Sequence, residues 1–413
     1  MTSVNASVAP LTHPRRLRSG FWAVAYALLI VMAFATLPSP LYGLYRLQDH
    51  LSAFTITVVF AIFAAGTITA LLVVPRIAQR VGRRGVMLSA VTIMMASAAL
   101  LAAWKGLPVL LIGRLLTGVA AGLAAGTAIT YLIELQLRAD PQSSMIRART
   151  IGTSITVGAL GVGPLVAGCL AEWARWPLTL PYLVVLGLGA VGLATLWFVP
   201  ETGTPTRHAR LSNQSTSSRP VRLPVPAAAG TIAAFAASGL FAGLAGLILT
   251  VTLGRPSHAL AGATLFLVFS CGVASQLATT RLRASSVLAL GTISMLAGLT
   301  FLATSVRLST PNLALFLVGG AFIGAGLGAV FKGTTGLVLE AAAPENRLAM
   351  TSKLLVALYV GLSIPVVGAG VALNQGASIP NTVLGFAILV AVGVTVSGWA
   401  LLRRHQPHGT NSG

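Results

Sequence analysis

Two basic residues, Arg114 and Lys332, lie inside long apolar stretches of the sequence. A charge near the centre of a membrane-spanning helix costs about 2.5–3.5 kcal/mol on insertion scales, so such a side chain normally faces the protein interior or water. The alternative for each residue is a side chain that extends along its helix to the membrane surface. An internal cavity that contains Arg114 and no acid would suit a neutral or anionic solute better than a cation.

The seven acidic residues all lie at or beyond the ends of the apolar stretches, and the first stretch, 21–38, contains none. Proton-driven membrane proteins usually carry a protonatable carboxylate near the site where they act. Proton coupling therefore stays open, and Glu134 and Asp49 are the nearest candidates.

Other side chains that could do chemistry are sparse. The two cysteines, Cys169 and Cys271, both lie in apolar stretches, and the six histidines lie at segment ends or in the tails. A disulfide framework or a metal site is therefore not expected. We expect no cofactor. A membrane enzyme would need a nucleophile, a metal cluster or paired acids, and none stands out, so the sequence predicts a protein that is not an enzyme.

The elements that must position these residues are membrane-spanning helices. Hydrophobic residues make up 55% of the chain and charged residues only 8%, whereas soluble domains carry roughly 25% charged residues. The apolar stretches are long enough to cross about 30 Å of hydrocarbon as helices. The sequence thus predicts an all-α integral membrane protein of twelve transmembrane helices in two six-helix bundles. The predicted helices are 21–38, 53–75, 86–104, 108–135, 150–171, 178–199, 227–251, 259–279, 286–305, 312–340, 353–373 and 381–402.

The distribution of basic residues predicts the orientation of these helices. Twenty of the 27 Lys and Arg residues fall on one side of the predicted membrane, five on the other, and Arg114 and Lys332 lie within spans. Because Lys and Arg stay on the cytoplasmic side, both termini are predicted to be cytoplasmic, in a bacterial cytoplasmic membrane. The net charge of +20 is explained by this topology, so a nucleic acid partner is not expected. We expect a monomer.

A weak internal repeat divides the chain into residues 1–200 and 227–413, joined by a polar cytoplasmic linker, 201–226. Glycines recur at four-residue spacing in both halves, as Gly118, Gly122 and Gly126 and then as Gly320, Gly324 and Gly328. Glu134 follows the first set and Glu340 the second. The alternative is chance similarity of apolar segments. Two like repeats related by an axis along the membrane normal are a known transporter design, with the site between the halves.

Four motifs in the first half support a family resemblance. They are Arg80, Gly82, Arg83 and Arg84 between helices 2 and 3; Arg114-Leu-Leu-Thr-Gly118; Gly163-Pro164-Leu-Val-Ala-Gly168; and Pro200-Glu201-Thr202. In their order and helix positions they resemble the motifs of the major facilitator superfamily. The chain departs from that pattern at Pro75, where a Gly is usual, and at Gln79, where an acid is usual.

The resemblance implies a secondary transporter that moves a small solute across the bilayer by alternating access. It also implies a role for Arg114 in substrate or proton coupling. The helix 5 motif, at Gly163 and Pro164, favours efflux or exchange. The alternative function is a membrane sensor or scaffold of the same fold that transports nothing. The expected partners are a small-molecule substrate, the lipid bilayer and, as an open alternative, protons.

Charges at the cytoplasmic helix ends suggest a latch that closes in the outward-facing state. Glu134 and Glu201 can reach the arginines after helix 2, and acids after helix 10 can reach those after helix 8. The alternative is ordinary positive-inside topology with incidental pairing. The residues predicted to act in transport or gating are Arg80, Gly82, Arg83, Arg84, Arg114, Glu134, Gly163, Pro164, Arg281, Arg283 and Glu340. The candidates for the substrate cavity are Phe34, Tyr42, Tyr131, Gln276, Lys332 and Tyr359.

Overall fold

The computed structural model describes residues 14–202 and 222–404, and within these ranges its regular elements are helices. Inside a bilayer no water is present to satisfy backbone amides and carbonyls, so an apolar chain of this kind spans it as helices that satisfy these groups internally. Most of the predicted linker, 203–221, lies outside the described residues.

The first half contains α1 (Pro14–Thr36), a 3₁₀ turn (Ser39–Leu41), α2 (Tyr42–Gln48), α3 (Ala53–Ala103), α4 (Leu107–Ala139), α5 (Met145–Trp173) and α6 (Leu180–Trp197). The second half contains α7 (Val225–Leu247) with a π-helical turn (Ile248–Thr252), α8 (His258–Ala278), α9 (Ala284–Arg307), α10 (Leu313–Ala341), a 3₁₀ turn (Pro344–Asn346), α11 (Arg347–Asn374) and α12 (Ile379–Arg404).

Helix α3 is long enough to cross a membrane twice. Its 51 residues would extend about 77 Å if straight, more than twice the roughly 30 Å of hydrocarbon. The helical backbone breaks at Gly82, where φ is 74° and ψ is 174°. Within residues 14–202 and 222–404, eleven helical segments are long and apolar enough to cross a membrane. Because α3 is long enough for two crossings, these segments are consistent with the twelve predicted spans.

The predicted helix ends were less accurate than the predicted spans. The segment 76–85 was predicted as a loop, yet it is helical on both sides of Gly82. Its Arg, Ala and Gln residues favour helix, so the helices continue into water instead of ending at the membrane surface. For the same reason α5 begins at Met145 and not at 150, and α4 continues to Ala139. The short helix α2 was not predicted.

The glycine repeat corresponds to equivalent packing in the two halves. In α4, Gly118 and Gly122 lie against the backbone of the first span of α3, at Phe63 and Thr67. In α10, Gly324 and Gly328 lie in the same way against α8, at Val268 and Gly272. Small residues let helices approach closely in lipid, where the hydrophobic effect does not drive helices together.

The two ends of the helical bundle are named here by one residue each. The Gly82 face holds the break in α3, and the Lys105 face holds the turn between α3 and α4. The two halves pack together chiefly through α5 with α8 and through α3 with α11. These helix pairs form the boundary along which the halves would move.

Candidate functional site

Arg114 lies on α4 with its side chain completely buried. Its Nη1 atom donates a hydrogen bond of 2.7 Å to the carbonyl oxygen of Ala35 in α1. The guanidinium carbon lies 4.7 Å from the ring centroid of Phe63 and 6.0 Å from that of Phe60. The Nε and Nη2 atoms have no hydrogen-bond partner. The side chain therefore does not extend to the surface, and it keeps unsatisfied donors inside the protein.

Two tyrosines lie near this guanidinium. Tyr42 and Tyr182 are close enough to interact electrostatically with Arg114. The hydroxyls of Tyr45 and Tyr182 are hydrogen-bonded at 2.9 Å, whereas the buried hydroxyl of Tyr42 has no partner. Phe34 packs edge to face on Tyr182, with ring centroids 6.3 Å apart. Among the residues described, no carboxylate lies within ion-pair distance of Arg114. Unsatisfied cationic donors next to a free hydroxyl could bind an anionic or strongly polar group.

The rings that cover Arg114 also contact the second half. Phe63 packs edge to face on Tyr359 of α11, with ring centroids 6.0 Å apart. Phe60 lies beside Gly243 of α7. Arg114 is therefore one layer of side chains away from the boundary between the halves. Sequence reasoning missed Phe60, Phe63, Tyr45 and Tyr182. The three-residue spacing of Phe60 and Phe63 was the available signal.

Near the Lys105 face, glycines bring the two halves into close contact. A Cβ atom on Gly262 of α8 would collide with the carbonyl of Pro164 in α5, and one on Gly168 of α5 would collide with the carbonyl of His258. On the other side of the boundary, Gly370 of α11 lies against Thr57 of α3. We call this set of contacts the glycine seam.

Gly163 and Pro164 face different partners. A Cβ atom on Gly163 would collide with the carbonyl of Ala33 in α1, within the first half. The carbonyl of Pro164 lies against Gly262, in the second half. This motif therefore packs α5 against α1 on one side and against α8 on the other.

At the Gly82 face the predicted charged residues of the first half come together. Arg83 Nε donates to Glu134 Oε2 at 2.7 Å, and Thr202 Oγ1 donates to the same oxygen at 2.6 Å. The Glu201 carboxylate accepts hydrogen bonds from the amides of Arg83, at 2.9 Å, and Arg84, at 3.0 Å. The cluster joins the break in α3 to the ends of α4 and α6, all within one half.

The other members of this group differ in their surroundings. The Arg84 guanidinium lies over the Trp197 ring at 5.3 Å, and Arg80 is exposed. Tyr131 was predicted to line the cavity, but its hydroxyl donates to the carbonyl of Pro200 at 2.9 Å. Tyr131 therefore belongs to the Gly82 face cluster. The Tyr131 hydroxyl has a partner there because the segment that follows α6 passes beside it.

The second half lacks an equivalent charge cluster in the described residues. Arg281, Arg283 and Glu340 are exposed, and neither Glu340 nor Glu345 forms an ion pair with either arginine. The pairing expected after helices 8 and 10 is therefore not present in this conformation. Exposed charges of this kind keep their hydration, so little favours a fixed pair.

Lys332 and Gln276 are brought together by a structural contact. The Lys332 ammonium of α10 donates to the Gln276 carbonyl oxygen at 2.6 Å and to Thr279 Oγ1 at 3.3 Å. A cation at the carbonyl end of a helix is favourable because this end carries partial negative charge. The lysine thus stabilises the end of α8. Three of the six candidates for the substrate cavity lie beside Arg114 or beside the aromatic rings around it: Phe34, Tyr42 and Tyr359.

The comparison with known families decides the classification. Residues 24–283, well over half of the chain, match the Major Facilitator Superfamily. The chain belongs to that superfamily. The structure is similar to the crystal structure of a mutant of the nucleoside transporter NupG, with a TM-score of 0.67 and 9% sequence identity, over 95% of this chain and 100% of that chain. At this identity the similarity shows the fold alone. No curated protein matches the sequence.

Membership in the Major Facilitator Superfamily confirms the coarser predictions. Members of this superfamily are secondary transporters and not enzymes, and they are embedded in a membrane by many helices. The chain is therefore a multi-pass membrane transporter with a small-molecule substrate.

Proposed function

We propose that the protein moves its solute across a bacterial cytoplasmic membrane by alternating access, with the Gly82 face in the cytoplasm. Support for the orientation comes from the sequence, which predicts twenty basic residues on that side of the membrane, and from the rule that basic loops stay cytoplasmic. The glycine seam lies near the opposite, Lys105 face. In this proposal the structure is an inward-facing state, closed toward the outside by the seam.

The substrate in this proposal is a neutral or anionic small molecule that binds between the halves near Arg114. The observation that carries it is the buried guanidinium with two unpartnered nitrogens and no acid nearby among the described residues. A cationic solute would meet repulsion from Arg114 at low dielectric. An anionic or polar group would satisfy donors that are otherwise costly to bury.

Efflux or exchange is the proposed direction. Support comes from the helix 5 motif, because Gly163 and Pro164 link α5 to both α1 and α8. A movement of α8 relative to the first half would therefore also displace α1. Helix α1 supplies the carbonyl that binds Arg114. Substrate occupancy and the closing of the seam would then be coupled, as exchange requires.

The test is solute flux in proteoliposomes that contain the purified full-length protein. Radiolabelled carboxylates, nucleosides, sugars and quaternary amines are offered with and without a pH gradient; nucleosides are included because NupG is described as a nucleoside transporter. Uptake that needs unlabelled solute inside the vesicle supports exchange. Flux of a quaternary amine alone would overturn the proposed substrate class. Absence of flux for every class would favour the sensor or scaffold function.

A further inference from the structure

Glu172 joins the two halves at the Lys105 face. It lies in the last turn of α5, and its Oε2 atom accepts hydrogen bonds from the amide of His258, at 2.7 Å, and of Ala259, at 3.3 Å. The hydroxyl of Ser257 lies 3.3 Å from the same oxygen. These three partners form the start of α8, in the second half. Sequence reasoning assigned no function to Glu172.

The start of a helix suits this carboxylate for two reasons. The first amides of a helix have no partner within it, and the helix dipole places partial positive charge there. Ser257 caps α8 in the usual way, because its Oγ accepts a hydrogen bond from the amide of Leu260 at 3.1 Å. The amides of His258 and Ala259 are then left for an outside acceptor. Glu172 supplies this acceptor from the other half of the protein.

The glycine seam allows Glu172 to reach α8. Gly168 precedes Glu172 by one helical turn, and a Cβ atom there would collide with the carbonyl of His258. The absence of that Cβ brings α5 against the first turn of α8. The hydrogen bonds of Glu172 and the close contact of Gly168 therefore form together and break together.

We propose that Glu172 is a gating residue that holds the halves closed at the Lys105 face. The inference rests on the proposed alternating access, in which that face must open once in every cycle. Opening would separate α5 from α8, so all three hydrogen bonds of Glu172 would be lost at that step. Neutralising Glu172 weakens the closed state selectively and shifts the population toward the state open at the Lys105 face.

The experiment measures access to two cysteine reporters in the full-length protein, with Cys169 and Cys271 replaced by serine. Thr57→Cys reports on the Lys105 side, because Thr57 is buried against Gly370. Val273→Cys reports from deeper in the boundary, where Val273 lies beside Gly158. Each reporter is combined with Glu172→Gln, with Glu172→Asp and with a control, Asp140→Asn, at an exposed acid on the opposite face. A membrane-impermeant maleimide is added to each side in turn.

We expect Glu172→Gln to raise labelling of Thr57→Cys from the Lys105 side by about fivefold or more, the lower end of typical coupling between states. Labelling of Val273→Cys from the Gly82 side should fall. Glu172→Asp should give an intermediate result, and Asp140→Asn should match the parent protein. Unchanged labelling at both reporters in folded Glu172→Gln protein would overturn the proposal.

A second variant covers the case in which Glu172→Gln does not fold. Ser257→Ala keeps the carboxylate and removes one of its donors, so it should raise Thr57→Cys labelling by a smaller factor, and no rise would also count against the proposal. Labelling needs no substrate, so it can succeed while every flux assay fails. That result would support Glu172 as a gating residue and contradict the proposed solute transport. Solute flux with unchanged labelling would support transport and contradict the role of Glu172.

Discussion

Arg83 and Glu134 form an ion pair of 2.7 Å, and both residues belong to the first half of the chain. The pair therefore joins the break in α3 to α4 and does not cross the boundary between the halves. In this conformation it stabilises one six-helix bundle.

We accordingly expect Glu134→Gln to affect stability more than the balance of states. Both side chains are more than a quarter exposed, and pairs of this kind contribute about 0.2–1 kcal/mol. The melting temperature in detergent should fall slightly, while labelling of the Thr57→Cys reporter stays unchanged. A large change in labelling would instead support a latch between the halves at the Gly82 face.

Gly82→Ala should be clearly destabilising. With φ of 74° and ψ of 174°, the backbone at Gly82 lies in a region that is essentially restricted to glycine and costs another residue about 1–3 kcal/mol. In addition, the new Cβ would collide with the Glu201 carboxylate, which binds the next two amides. The control is Gly187→Ala, because nothing lies within 4 Å of that position. Thermal unfolding in detergent should separate the two variants, and equal melting temperatures would contradict the assigned geometry.

Arg114→Lys should reduce flux at least about tenfold while the protein remains folded. Lysine keeps the charge but carries all of its donors on one nitrogen, so it cannot bind the Ala35 carbonyl and at the same time hold separate donor nitrogens beside Phe63. The matched control is Arg76→Lys, at an exposed position. Initial flux rates should be compared at equal amounts of folded protein. Wild-type rates for Arg114→Lys would remove this residue from the proposed site.

Gly262→Ala and Gly163→Ala should have different effects although both add one methyl group in α-helices. The Gly262 methyl would push against Pro164 across the boundary, so the Lys105 face should open and Thr57→Cys labelling should rise. The Gly163 methyl would push against Ala33 within one half, so the melting temperature should fall. If both variants changed only the melting temperature, the seam would have no part in closing that face.

Lys332→Met should lower stability without changing the apparent affinity for substrate. The ammonium binds the Gln276 carbonyl at the end of α8, and methionine removes that hydrogen bond while keeping an apolar chain of similar length. The melting temperature and the concentration dependence of flux should be measured together. A shift in apparent affinity of about tenfold would place Lys332 in the substrate cavity after all.

The sequence predicted the spans well because a span depends on the length of its apolar stretch and on the positions of the charged residues that flank it. The equivalent glycines of α4 and α10 were also visible, since glycine allows close helix contact, whereas the break at Gly82 was not predicted. The helix ends were harder to predict, because a helix that leaves the membrane can continue in water. The π-helical turn at Ile248–Thr252 left no mark in an apolar segment.

The site was predicted only in part, for a reason that applies to membrane helices in general. A helix that is apolar all round gives no periodic signal for its packed face. Arg114 stood out by its charge, but Phe60 and Phe63 did not, because aromatic residues are common in spans. Glu172 resembled any charge at a membrane surface. Its partners are backbone amides of α8, and no side-chain pattern reports a bond to an amide.

The glycine seam also bears on how fast the two halves can part. Because Gly168 and Gly262 present bare backbone to the opposite helix, no interlocked side chains must be withdrawn or change rotamer at these contacts when α5 and α8 separate. At these two contacts, α5 and α8 can separate and pack together again without rearranging side chains. A joint of this kind favours a low kinetic barrier and frequent reversal over a long-lived closed state.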